Sequence, residues 1–208
     1  NNFSNLIYDK GSKFNHDVSN LHILSITHLT FGNNFDQDVS KLPSNLTYLT
    51  FSSGSHFNQD VSNLPSSLTH LTFGYWFNQD ISKLPSFLTH LTFGNNFNQD
   101  ISKLPSSLTH LTFGSWFNQD VSKLPSSLTH LTFGYYFNQD ISKLPSSLTH
   151  LILGRCFEQE CHISPNIKYL NLNCNNLYII NSLPNSVEEL ELDYKFNLQI
   201  DNLPTSIK

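Results

Sequence analysis

The sequence repeats itself with a period of 20 residues. The string Ser-Ser-Leu-Thr-His-Leu-Thr-Phe-Gly and its close variants place a leucine at five equally spaced positions, which are Leu68, Leu88, Leu108, Leu128 and Leu148. Within one unit the apolar residues follow the pattern L-x-x-L-x-F-x-x-x-F-x-x-x-I/V-x-x-L-P. That spacing does not fit the apolar stripe of a helix. A fixed period of this length is the signature of a solenoid.

Each unit contains one segment that is suited to a short β-strand. Apolar and polar residues alternate there, so Leu71 and Phe73 are predicted to point into the core, and His70 and Thr72 to point outward. Gly74 is predicted to end the strand. The rest of the unit is too short for a full α-helix, and its Leu-Pro-Ser stretch favours extended or polyproline-II backbone.

Diverged units extend the array in both directions from the central copies. They begin at Phe3, Ile26 and Leu46 on one side and at Ile167 and Val187 on the other. The sequence therefore predicts one solenoid domain over residues 1–208. It is expected to be a β-rich, leucine-rich-repeat-like, right-handed coil of about ten turns, with one parallel sheet of short strands and little or no α-helix.

Two stretches resemble known repeats. The segment that begins at Ile167 matches the leucine-rich-repeat consensus L-x-x-L-x-L-x-x-N-x-L at every specified position. The central units, LPSSLTHLTFGxxFNQD(I/V)SK, resemble FNIP repeats, relatives of leucine-rich repeats that occur in tandem in proteins of amoebae and of their large DNA viruses. The resemblance implies a protein-binding scaffold. Because relatives often carry an F-box, it also implies the substrate-recognition part of a ubiquitin-ligase adaptor.

Asparagine is not conserved throughout the column that forms a ladder in ordinary leucine-rich repeats. It is present at Asn34, Asn96 and Asn175, but Trp76, Trp116, Tyr136 and Cys156 replace it in other units. A second asparagine follows the second phenylalanine of each unit, at Asn58, Asn78, Asn98, Asn118 and Asn138. We expect this second column to bind the loop backbone instead. The Asp two positions later in the same units is predicted to cap the loop rather than bind calcium.

Composition restricts the partners and the compartment. A net charge of −5 with only 11 lysines and arginines argues against nucleic-acid binding. No apolar run approaches the roughly 20 residues that span a bilayer, so no membrane partner is expected. The three cysteines lack metal-type spacing and favour a reducing compartment, which predicts a cytoplasmic protein. No cofactor, metal or catalytic motif is predicted, and we expect a non-enzymatic protein.

A column of rings is predicted on the outward face of the sheet. Its members are His28, Tyr48, His70, His90, His110, His130 and His150. A linear column cannot supply the clustered ligands of a metal site. Two interpretations remain: a pH-sensitive element, whose imidazolium charges would repel each other, or a stacking ladder that was copied by duplication.

The two residues after each glycine vary most between the otherwise similar units. Aromatic residues are frequent there, and such residues dominate protein interfaces. The predicted partner-binding residues are therefore Tyr75, Trp76, Trp116, Tyr135 and Tyr136, together with His70, His90, His110, His130 and His150. Alternatively, the aromatics only cover loop backbone. We expect a monomer that binds a protein partner, and a structural, self-assembling solenoid is the alternative function.

Near the C-terminus the outward face becomes acidic at Glu189, Glu191 and Asp193, which would attract a basic partner or only increase solubility.

Overall fold

The computed structural model describes residues 4–200 and 203–208, and Phe3 lies outside them. Ten strands form one sheet, in which neighbours are parallel and the order in the sheet follows the order in the chain. The strands are β1 (Asn5–Ile7), β2 (His28–Phe31), β3 (Tyr48–Phe51), β4 (His70–Thr72), β5 (His90–Thr92), β6 (His110–Thr112), β7 (His130–Thr132), β8 (His150–Leu153), β9 (Tyr169–Leu172) and β10 (Glu189–Leu192).

The register of the sheet reproduces the period of the sequence. His70 lies opposite His90, and Leu71 lies opposite Leu91. Leu71 and Phe73 are buried, whereas His70 and Thr72 are partly exposed, as the alternation predicts. The predicted leucine-rich-repeat-like solenoid with one parallel sheet is therefore confirmed.

Helical structure is limited to two short segments among the described residues, a 3-10 helix (Ser19–Ile23) and α1 (Leu177–Asn181). The side-chain oxygen of Asn176 caps α1 by accepting a hydrogen bond from the N–H of Ile179 at 3.1 Å. Ile179 and Ile180 point into the core. The helical turn thus belongs to the coil that matches the leucine-rich-repeat consensus, where apolar residues follow a good N-cap.

Two adjacent columns of phenylalanine form the centre of the core. Within one coil the rings of Phe93 and Phe97 are stacked with their centroids 3.7 Å apart. Between coils, Phe93 lies 5.7 Å from Phe113, and Phe97 lies 6.2 Å from Phe117. Each coil therefore buries its apolar face against its two neighbours, and the core runs the length of the solenoid.

Candidate functional site

A glycine ends the strand segment in the central coils and allows successive coils to approach closely. A Cβ atom placed on Gly94 would lie 1.9 Å from the carbonyl oxygen of Gly74, and one on Gly114 would lie 2.2 Å from that of Gly94. None of the glycines in the described residues has a positive φ angle. Glycine is therefore required here for the contact between coils rather than for an unusual backbone conformation. The sequence showed this glycine at a fixed place in each unit, but not the contact that requires it.

The variable pairs after these glycines lie on a hydrogen-bonded backbone. The N–H of Asn96 donates to the carbonyl oxygen of Tyr75 at 3.0 Å, and the N–H of Trp116 donates to that of Asn95 at 2.9 Å. Tyr136 and Cys156 continue the series at 2.9 Å. We call residues 75–76, 95–96, 115–116 and 135–136 the aromatic edge. Its backbone repeats regularly, so only the side chains differ from coil to coil.

The aromatic side chains of this edge are largely open to solvent. Trp76 and Trp116 are 50% and 51% exposed, and Tyr135 and Tyr136 are 42% and 41% exposed. Tyr75 is more buried and meets Trp76 edge to face, with centroids 5.1 Å apart. Trp116 stacks on Tyr136 with centroids 4.4 Å apart. The structure thus brings the five predicted aromatic residues to one edge, and their contact with a partner stays a prediction.

The predicted column of rings is continuous on the outward face of the sheet. From His28 through Tyr48 to His150, adjacent rings are stacked with centroids 4.0–4.2 Å apart. Burial, and secondarily the neighbouring imidazoles, lower the pKa of His70, His90 and His110. The same causes lower the pKa of His130 to about 4. At neutral pH these rings therefore carry no charge.

The aromatic edge and the outward face of the sheet meet at a shallow groove of about 610 Å³. Threonines of the outward face, such as Thr72 and Thr92, line one side. Tyr75 and Asn95 of the aromatic edge line the other side. The two parts of the predicted binding surface are therefore adjacent, and one partner can contact both.

The acidic face near the C-terminus is largely engaged within the chain. Glu191 accepts hydrogen bonds from the hydroxyl of Tyr169 at 2.8 Å and from the side-chain amide of Asn171 at 2.7 Å. Asp193 forms an ion pair with Arg155 at 3.0 Å. Glu189, the third acidic residue that was predicted to attract a basic partner or to aid solubility, is exposed to solvent.

The asparagine that follows the second phenylalanine forms the predicted ladder with the backbone. The side-chain oxygen of Asn78 accepts from the N–H of Asn98 at 2.9 Å, and that of Asn98 accepts from the N–H of Asn118 at 2.9 Å. Asp80, two positions after Asn78, caps its own loop by accepting from the N–H and the hydroxyl of Ser82. The prediction of loop capping is confirmed, and both carboxylate oxygens of Asp80 are engaged in it.

The three cysteines are free thiols. Burial raises the pKa of Cys161 and of Cys174 to about 11, so both are protonated at neutral pH and poorly reactive. Within residues 4–200 and 203–208, no three His, Cys, Asp or Glu side chains are grouped in a way that would hold a metal ion. The same residues include no helix with the length and apolar character to cross a membrane.

Comparison with solved structures identifies similar solenoids. The crystal structure of CroV588, described as a novel circular leucine-rich-repeat protein, is 40% identical and superposes with a TM-score of 0.76. The alignment covers 93% of this chain and 34% of that one, so this chain spans about a third of the circular protein. The internalins InlJ and InlF of Listeria monocytogenes are 18% and 20% identical, with TM-scores of 0.57 and 0.54. Each alignment covers 85% of this chain, with 46% of InlJ and 63% of InlF. They share the fold.

No curated protein matches the sequence significantly. The model of the FNIP repeat family matches seven times, at residues 24–54, 39–76, 57–83, 77–116, 117–156, 157–195 and 175–208. Together these matches extend over most of the sequence. The chain belongs to the FNIP repeat family.

Proposed function

We propose that the chain is a non-enzymatic scaffold that binds a protein partner through the aromatic edge and the adjoining outward face of the sheet. The observation that carries the proposal is the exposure of Trp76, Trp116, Tyr135 and Tyr136 along one backbone ladder. Tryptophan and tyrosine supply much of the binding energy at protein interfaces. A backbone that is already ordered reduces the entropy lost on binding.

We propose that the partner is a protein and that the compartment is a reducing one such as the cytoplasm, in which the free thiols of the chain persist. The lowered pKa values of His70, His90, His110 and His130 keep these imidazoles neutral at pH 7, and the aromatic edge contains no charged residue. Such a surface favours shape and hydrogen bonding over the phosphate contacts of a nucleic acid. We propose that the protein acts as a monomer when it binds its partner.

Affinity capture with the folded chain tests the proposal. The double variant Trp76→Ala/Trp116→Ala removes two exposed rings from the edge and is expected to lose a partner that the wild type retains. Phe87→Ser is the matched control, because Phe87 is 66% exposed but precedes β5, at the opposite end of the strands from the edge. Equal recovery of the partner by the wild type and the double variant would refute the proposal.

Self-association is the alternative function. Among the described residues, β1 and β10 each pair with one strand only, and parallel pairing between such edges could join separate molecules. Light scattering distinguishes the two functions. A constant mass over a wide concentration range supports recognition by a monomer, whereas growth into polymers supports the structural role.

The family resemblance also supports a more specific role, as the substrate-recognition part of a ubiquitin-ligase adaptor. This role requires that the protein be recruited to a ligase core in cells. Co-precipitation of the whole protein with such a core, and accumulation of the captured partner when the protein is depleted, are the expected results. A partner whose abundance does not respond would contradict the role.

A further inference from the structure

The aromatic edge has a gap between its two tryptophans. Trp76, Asn96, Trp116 and Tyr136 occupy the same position in four successive coils. Their backbones follow a parallel ladder in which equivalent residues repeat at about 4.8 Å. Three of the four positions therefore carry a ring, and the position between the tryptophans carries a short amide.

Trp116 has one covered face and one uncovered face. Tyr136 stacks on the first face, with centroids 4.4 Å apart and an angle of 22° between the planes. Because Tyr136 belongs to the following coil, the second face points toward the preceding coil, where the side chain of Asn96 is too short to cover an indole, and Trp116 stays 51% exposed. Trp76 lies one coil further, at about twice the strand spacing from Trp116. A planar group at the level of Asn96 would therefore lie at stacking distance from Trp116 and beside Trp76.

The chemistry of the gap favours a planar cation. The side chain of Asn96 has no hydrogen-bond partner among the described residues, so its oxygen is available to a donor. No charged residue lies within the aromatic edge, and the chain has a net charge of −5, so a cation is attracted to the protein overall. Tryptophan is the ring that binds cations best.

The coil next to the aromatic edge carries a guanidinium group, that of Arg155. Arg155 follows Tyr135 in the first position of the variable pair, and its guanidinium carbon lies 6.0 Å from the centroid of the Tyr135 ring. Asp193 completes this site by pairing with Arg155 at 3.0 Å. The coil next to the aromatic edge therefore already holds an arginine against an aromatic ring, three coils from the coil of Asn96.

We infer that the gap between Trp76 and Trp116 is a binding site for an arginine side chain of the protein partner. This inference rests on the proposed function and specifies the chemistry that the partner must present. The guanidinium stacks on the uncovered face of Trp116 and donates a hydrogen bond to the side-chain oxygen of Asn96. Lysine, whose ammonium is compact and not planar, fits this site less well.

Intrinsic fluorescence can report the site, because Trp76 and Trp116 are the only tryptophans in the sequence. The wild type is titrated with a capped Gly-Arg-Gly peptide and with the same peptide carrying lysine, citrulline or tyrosine. A saturable change with the arginine peptide, at an affinity at least about tenfold higher than with the other three, is the expected result. Citrulline keeps the planar shape without the charge, so equal binding of citrulline would overturn the requirement for a cation. Equal or tighter binding of the tyrosine peptide would show that the gap takes an aromatic ring, and would overturn the inference.

The variant Asn96→Tyr provides the sharpest test. Its ring would fill the gap as Tyr136 covers the other face of Trp116, so the variant should fold with unchanged or higher thermal stability and no longer bind the arginine peptide. Phe87→Ser should bind as the wild type does. Unchanged peptide binding by a folded Asn96→Tyr variant would refute the site.

The same variants separate this inference from the proposed function. If the captured partner is lost with Trp76→Ala/Trp116→Ala but retained with Asn96→Tyr, the scaffold function stands and the arginine site is wrong. If the partner is retained with both variants, the proposed binding surface is itself wrong. Loss with both variants, together with arginine selectivity, supports both.

Discussion

The Oγ1 atom of Thr109 lies 2.9 Å from Nδ1 of His110 and 3.1 Å from the carbonyl oxygen of Thr89. A carbonyl oxygen only accepts hydrogen bonds, so the hydroxyl donates its proton to Thr89 and accepts one from the imidazole. His110 is therefore the tautomer with its proton on Nδ1, and its Nε2 atom is unprotonated. The same pair of contacts is present at Thr69–His70, Thr89–His90, Thr129–His130 and Thr149–His150.

The burial and stacking of the histidine column predict that the protein loses stability in mild acid. The unfolded chain binds protons on its histidines as the pH falls through about 6.5. In the folded chain His70, His90, His110 and His130 resist protonation because their pKa values are lowered, that of His130 to about 4. The contribution of these neutral histidines to the free energy of unfolding is thus fully present above pH 6.5, and it declines as the pH falls from there toward 4. A thermal melt at pH 5 should show a midpoint lower by about 3 °C or more than at pH 7.5. Equal midpoints would contradict the prediction.

A matched variant assigns that effect to the histidine column. Tyr48 already occupies the column and stacks on His70 at 4.1 Å. The double variant His110→Tyr/His130→Tyr should keep the stack but remove two titrating groups. Its midpoint should fall less between pH 7.5 and pH 5 than that of the wild type, and an equal fall would place the effect elsewhere in the protein.

The contact between successive glycines predicts a strong effect of a single methyl group. Gly94→Ala places a Cβ atom against the carbonyl group of Gly74, so the two coils must move apart. The free energy of unfolding should decrease by about 2 kcal/mol or more. Gly11→Ala is the control, because a Cβ atom there meets nothing within 4 Å, and it should change the stability by less than about 1 kcal/mol. Similar urea midpoints for the two variants would show that the coils are not in close contact at Gly94.

The asparagine ladder predicts that removing the side-chain acceptor of Asn78 has a different effect from replacing it with another acceptor. Asn78→Ala leaves the N–H of Asn98 without its partner and also removes a contact with the side chain of Gln99, at a cost of about 1 kcal/mol. Asn78→Asp keeps an acceptor, as Asp36 does natively for the N–H of Asn58 at 2.9 Å. Hydrogen exchange at the amide of Asn98 should accelerate in the alanine variant and not in the aspartate variant. The same rate in both would show that the ladder does not hold the loop.

The phenylalanine columns predict that volume matters more than aromatic character. Phe113 is buried between its neighbours, and Phe113→Ala should lower the free energy of unfolding by about 3–5 kcal/mol. Phe113→Leu should lower it by only about 1 kcal/mol, because Leu153 occupies the equivalent position in β8. Chemical denaturation measures both changes, and equal losses would mean that ring stacking itself dominates.

The sequence was sufficient to predict the sheet and the core, because each coil repeats the same alternation of buried and exposed residues. His70 and Leu71 could be placed on opposite faces from that alternation alone. The role of Gly94 could not be predicted, because it depends on the distance between two coils rather than on one coil's backbone. The ring contact between Trp116 and Tyr136, and the gap beside it, likewise depend on side-chain orientations that a repeat pattern does not contain.

The local departure at α1 has a similar cause. The unit that begins at Ile167 matches the leucine-rich-repeat consensus, yet its pattern did not by itself predict a helical turn. The turn forms because Asn176 caps it and because Ile179 and Ile180 fill the core from the return path. Which residues of a coil fill the core can be seen only when the neighbouring coils are in place.

The most direct test of the central claim is the affinity of the captured partner for three forms of the protein, measured by isothermal titration calorimetry. Trp76→Ala/Trp116→Ala is expected to weaken binding at least about 30-fold, which corresponds to about 2 kcal/mol, whereas Phe87→Ser is expected to leave the affinity unchanged. If both variants bind the partner as tightly as the wild type, the aromatic edge is not the binding surface.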